Sequence, residues 1–337
     1  MWVRTSGMAV ALVGLLLGGP LWAVAPRSLL SELAHNGCVR FSFVAGRVAL
    51  IEVSDSRISL SPSDGKIAED LNIEVNHGQV EMTYVRTTPD EEFSMSIASG
   101  NRLGIHRAGR GDSPLVPVHF EQAPREPVML ALGPEDRQQV FRAESIWHLA
   151  IIRPEVCRLH LAPLVDPLRP KWSLTSAAAA VEAELLRQSA AVTPPDRKHW
   201  AAMVGQLADD RFGRRQSADR ELRAAGPAVL NYLQGLDLGR LQTEQQFRVQ
   251  RIMTALSAQI EGDNTQQIAV WLRGDPSVWL SLLSRPEPST RRLASRQLSA
   301  LWGEAIAIDP EAEPSTQSLQ LQQLHRRIDA EHFGAKD

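Results

Sequence analysis

The 337-residue chain carries 36 basic and 39 acidic side chains, a formal net charge of −3, and 43% hydrophobic residues. Acidic residues are interspersed with the arginines, and only four lysines occur, Lys66, Lys171, Lys198 and Lys336. No basic face builds up to hold a phosphate backbone, which argues against nucleic-acid binding.

The N-terminus sets the compartment. MWVRTSG brings one arginine ahead of the uncharged, apolar MAVALVGLLLGGPLWAVA. A positive start before a hydrophobic centre is the layout of a secretory signal peptide, so residues 1–25 are expected to be a signal, or an N-terminal anchor if left uncleaved. Ala23-Val24-Ala25 has the form of a cleavage site, but Pro26 behind it moves the expected cut to Ala23. The remaining chain is then exported to a periplasm, cell envelope or medium, and touches a membrane only through this segment. About 310 residues are left, enough for two domains.

Residues 37–133 read as a β-domain. CVRFSFV, RVALIEV and RISLS are short runs rich in Val, Ile and Phe, separated by Ala45-Gly46 and Ser54-Asp55-Ser56. NIEV, Asn76-His77-Gly78 and QVEMTYVR form a hairpin pattern, because Asn and Gly supply the positive φ of a tight turn. FSMSIAS, RLGIHR, VPVHFEQ and VMLALG continue to Gly133. Such close spacing predicts an antiparallel sandwich or partly open barrel. Between two of these runs lies GRGDSP, whose Arg110-Gly111-Asp112 matches the integrin-binding tripeptide of matrix proteins. Its glycines, Asp-Ser and Pro114 are also turn chemistry, and a turn is the favoured reading.

From Glu135 the period becomes helical. Residues 135–172 form connecting helices, with Ser145 as a cap and Pro154 as a first helical residue. The helical domain spans 173–337, with Ser176 as the expected N-cap of its first helix. Within it, RFGRRQSADRELRAAGPAVLNYLQ places Phe212, Ala218 and Leu222 on one face, then joins two helices through Gly226 and Pro227. Arg215, Ala218, Arg220 and Leu222 return as Arg291, Ala294, Arg296 and Leu298, 76 residues later. That is near two units of the helix-pair repeats.

Phe212, Arg215, Ala218, Leu222, Gly226 and Pro227 resemble HEAT-type repeats, of the divergent kind common in exported proteins of planctomycete-like bacteria. The resemblance covers roughly residues 198–302. It implies an all-α array behind the β-domain, an α+β chain overall, and a repeat surface that binds other proteins. It implies no activity and no cofactor.

Chemistry is sparse. The sequence holds no C-x-x-C pair, H-E-x-x-H, G-x-S-x-G or P-loop. Cys38 and Cys157 are an even count, so export permits one bridge between them; two separate buried thiols are the alternative. Two weak metal-ligand groupings are Cys157 and His160 beside His148, and His325, Asp329 and His332 on one helix face. The bland reading, core for the first and a solvated face for the second, is preferred. Trp147, Trp172, Trp200, Trp271, Trp279 and Trp302 lie beside aliphatic residues and are expected as core anchors. The reading is a non-enzymatic exported protein that docks a protein partner through its helical surface. The alternatives are a cell-envelope hydrolase or accessory enzyme, and adhesion through Arg110-Gly111-Asp112.

Overall fold

A computed structural model of the chain describes residues 28–99, 102–124, 126–260 and 262–333. The signal or anchor segment expected at 1–25 lies outside them. The chain is α+β, an antiparallel sheet region followed by a helical array.

A short helix comes first, α1 (Leu29–His35), capped by Ser28, whose hydroxyl accepts from Ser31 N. Strands β1 (Val39–Val44) and β2 (Arg47–Val53) then form a separate two-stranded ribbon. Its turn is Ala45-Gly46, with φ of 48° and 69°. Eight further strands pair in sequence order: β3 (Arg57–Leu60), β4 (Ala68–Asn76), β5 (Gln79–Thr87), β6 (Glu91–Ala98), β7 (Arg102–Gly109), β8 (Val118–Gln122), β9 (Val128–Leu132) and β10 (Gln139–Ala143). The hairpin read at Asn76-His77-Gly78 joins β4 to β5, with φ positive at His77 and Gly78. One strand was missed by the sequence reading. β10 lies beyond Gly133, in a segment whose Gln139 and Val140 are exposed and carry no apolar alternation.

Alternation puts one face of the sheet in the core. Leu71, Tyr84, Met95, Ile105, Phe120 and Leu130 stand opposite one another across six strands, and all are buried. The next row ends in Gln122, fully buried among apolar neighbours. Its amide resolves the cost of that position, accepting from Val48 N at 3.0 Å and donating to Val48 O at 2.5 Å. The side chain thus pins the ribbon to the sheet face as a strand would.

The ribbon also reaches the helices. Ile146 N donates to Gly46 O at 3.0 Å, and a Cβ on Gly46 would stand 2.6 Å from Ser145 Cβ, so only glycine fits. Phe43 stacks obliquely on Trp147 and Trp172, with ring centroids at 5.4 and 4.7 Å. The apolar core runs unbroken from sheet to helices.

Helix α2 (Ile146–Ile152) is capped by Ser145 as expected. Pro154 opens α3 (Pro154–Val156), a π-helical turn follows at Cys157–Leu161, then α4 (Ala162–Val165). Pro163 and Pro167 lack the N–H groups a regular helix would need here. Helix α5 (Leu174–Ala191) starts earlier than Ser176. Asp166 accepts from Leu174 N at 2.8 Å and fixes the start there, with Ser173 at the N-cap position. The array continues with α6 (Arg197–Gln206), α7 (Phe212–Ala224), α8 (Leu230–Gln234), α9 (Thr243–Ser257), α10 (Thr265–Leu272), α11 (Pro276–Leu282), α12 (Pro288–Trp302) and α13 (Pro314–Phe333). Trp147, Trp200, Trp271 and Trp279 are buried and Trp172 and Trp302 pack against the core, as the sequence suggested.

Candidate functional site

The repeat read in the sequence has a geometric counterpart. Helices α7 and α12 begin 76 residues apart, at Phe212 and Pro288. Ala218, Leu222, Ala294 and Leu298 are all fully buried. Arg215 Nη1 donates to the carbonyls of Asp209 and Asp210, and Arg291 Nη1 donates to those of Arg285 and Pro286. Gly226 takes φ +67° between α7 and the 3₁₀ turn that Pro227 helps to open.

Phe212 departs from the expectation. It is 61% exposed and does not share the buried face of Ala218 and Leu222. As the first residue of α7 it precedes the first packed turn, and the Arg215 guanidinium lies over its ring at 5.7 Å. A matching pair sits on α9, where Arg251 covers Phe247, 55% exposed, at the same 5.7 Å. By the helical period Phe212, Asp219 and Arg223 form one stripe of α7. Arg223 also lines a groove of about 410 Å³ with Phe247, Gln250, Arg251 and Thr254 of α9. Arg223 is neutralised by Asp219 at 2.6 Å, whereas Arg251 has no acidic partner among the described residues. Two exposed aromatics, a stacked arginine over each and a groove beside one of them make this face the candidate docking site.

Three other groupings resolve into structure. Ser145 Oγ lies 2.8 Å from His148 Nδ1, and His148 Nε2 lies 3.6 Å from Asp275 Oδ2, a constellation the sequence reading missed because Asp275 is distant in the chain. A nucleophile must meet its substrate, yet these side chains belong to residues 0%, 1% and 9% exposed. Ser145 caps α2, and Asp275 caps α11 by accepting from Ser277 N at 2.8 Å. His148 therefore ties two helix starts together inside the core, with its ring edge-on to Trp271 at 4.6 Å. Burial lowers its pKa, against the opposing pull of the Asp275 carboxylate and of the Asn231 side chain. Burial raises the pKa of neighbouring Glu144, and Asp275 adds to that.

Cys38 and Cys157 are both free thiols, Cys38 half-buried beside β1 and Cys157 buried in the π-helical turn. Burial pushes the Cys157 thiol up to about 12, which holds it as an unreactive neutral group. No group of three or more His, Cys, Asp or Glu placed to hold a metal occurs among the described residues. The side chains of His325, Asp329 and His332 lie outside them. Arg110-Gly111-Asp112 forms a turn, with Ser113 N donating to Arg110 O at 3.1 Å and Gly111 at φ +58°. The Arg110 guanidinium donates to Thr88 O at 3.2 Å, toward the neighbouring hairpin.

No helix among the described residues is long and apolar enough to cross a membrane. Comparison of the chain with protein-family models, with curated proteins and with solved structures finds no match.

Proposed function

We propose that this chain is an exported, non-enzymatic interaction protein that docks a partner protein through its helical array, with the α7–α9 face as the contact. One observation carries the reading: Phe212 and Phe247 stand 61% and 55% exposed, each beneath an arginine. Aromatic and arginine side chains dominate interface energetics, and each half-exposed phenylalanine is apolar surface that a partner would remove from water. The resemblance to HEAT-type repeats supports the same role for the array. Arg251, which has no acid beside it among the described residues, favours a partner whose apolar residues are flanked by carboxylates.

The experiment is capture from envelope extracts with the wild-type chain and with Phe212→Ser/Phe247→Ser, both checked for an unchanged melting temperature. The double variant is expected to lose the partner that the wild type retains. Equal recovery by the two would place binding elsewhere. N-terminal sequencing of the native protein tests export separately, with a start near Val24 expected and an intact Met1 against it.

A further inference from the structure

A second surface, independent of the α7–α9 face, lies between α5 and α12. It is a groove of about 520 Å³ with Leu186 and Ala190 on one wall and Leu293 on the other. Arg292, Arg296 and Ser289 stand over this apolar floor. Their charge balance is one-sided. On α5 the nearest acid in sequence, Glu184, is already engaged by Arg187 at 2.6 Å and by Gln188. Arg296 has no acidic partner among the described residues, and its Nη2 is held in place by Ser189 O at 3.0 Å. The first turn of α12 has no side-chain cap, so the N–H groups of Ser289 and Thr290 add positive potential at the same mouth.

The molecule shows on itself what this edge receives. Its own acidic stretch Asp309-Pro310-Glu311 runs along the start of α12. There the Pro310 carbonyl accepts from Arg291 Nε at 2.7 Å, and the Glu311 carboxylate pairs with Arg292. That strap takes up Arg291 and Arg292 and leaves Arg296 and the leucine floor open.

We propose that the α5–α12 groove receives an acidic, leucine-bearing segment of a partner protein, its carboxylates on Arg296 and the start of α12 and its leucine on Leu186 and Leu293. Charge complementarity sets this occupant: a basic segment is repelled by Arg296 and finds the Glu311 carboxylate already taken by Arg292, and an uncharged one leaves Arg296 without a carboxylate.

The test is fluorescence anisotropy of the full chain with a fluorescein-labelled peptide of repeating Glu-Leu-Glu, against a Lys-Leu-Lys control. Binding of the acidic peptide alone is expected, weakening as salt rises. Arg296→Glu should reduce its affinity about tenfold or more. Because Arg296 also holds Ser189 O, Ser289→Glu is the second variant. Ser289 is exposed, and an acid in the first turn favours the helix while repelling the ligand. Because an acidic, apolar peptide also suits the Arg251 and Phe247 face, Arg251→Ala is measured alongside: affinity lost with Arg251→Ala but kept with Arg296→Glu would place the peptide on the α7–α9 face and overturn the proposal. Absence of binding to the acidic peptide, equal binding of the control, or full affinity in both acidic variants would each overturn the proposal.

Discussion

Arg215 and Arg291 make the same pair of hydrogen bonds in two places: each donates Nη1 to the carbonyls five and six residues before it. In both copies those carbonyls belong to the loop that leads from the preceding helix, after α6 and after α11. These carbonyls are half-buried or exposed, so each lost hydrogen bond costs roughly 0.5–1.5 kcal/mol. Arg215→Ala and Arg291→Ala should therefore each lower the urea midpoint. The effect should be larger at Arg291, only 8% exposed and bound to Pro310 O as well. Equal, negligible effects would mean these loops hold their shape without the arginines.

The two glycines beside the first helix junction act through different physics. Gly226 has a positive φ and open space around a Cβ, so Gly226→Val is strained only through its backbone, by about 1–2 kcal/mol. At Gly274 a Cβ would fall directly on the Ala228 carbonyl oxygen, because α10 and the turn at Gly226–Val229 approach backbone to backbone there. Gly274→Ala must push two elements apart and should cost more than Gly226→Val, about 3 kcal/mol or more. Thermal melts of the two variants decide it; the reverse order would contradict the packing described.

Much of this was legible in the sequence, and the reasons are local. Nine of the strands announced themselves by alternation and by turns such as His77-Gly78, and the helix junction by Gly226-Pro227. What was not legible depends on distant partners. Gln122 reads as an ordinary strand residue, and only the fold reveals that it holds Val48. Phe212 looked like a core position because its spacing to Ala218 and Leu222 fits an apolar face, but at the start of α7 it stands exposed, with the Arg215 guanidinium over its ring. Asp275 caps α11, and its approach to His148 spans more than a hundred residues.

That approach has a pH consequence. His148 is buried with its pKa below the ordinary 6.5, while in the unfolded chain it titrates normally. The unfolded state then binds the extra proton first, so this contribution is present above pH 6.5 and is lost as pH falls below it, by about 1.4 kcal/mol at most between pH 7.5 and 5.5. Asp275 faces the ring and opposes the loss, and Glu144, Arg47 and Arg197 complete the charged surroundings. The raised pKa of Glu144 works the other way nearer the carboxylate range, where its protonation favours the folded state. Urea midpoints across this window should fall for the wild type and stay flatter for His148→Gln. Parallel curves would mean another group carries the acid limb.

The aromatic junction bears on how the two halves fold. Phe43 packs on both Trp147 and Trp172, and Arg169 lies over the Phe43 ring at 5.5 Å while pairing with Asp263 at 2.9 Å. A fragment of residues 135–337 removes Phe43 and uncovers both tryptophans. It should melt less cooperatively than the full chain or aggregate. A sharp, reversible transition at the temperature of the full chain would show the helical half to be independent of the ribbon.

Docking through the α7–α9 face is the central claim, and site-specific photo-crosslinking in the native host tests it most directly. A benzophenone side chain at position 247 should give one discrete adduct with a partner protein. The same group at Thr83, exposed on the outer face of β5, should give none. No adduct from 247, or the same adduct from both positions, would contradict the account.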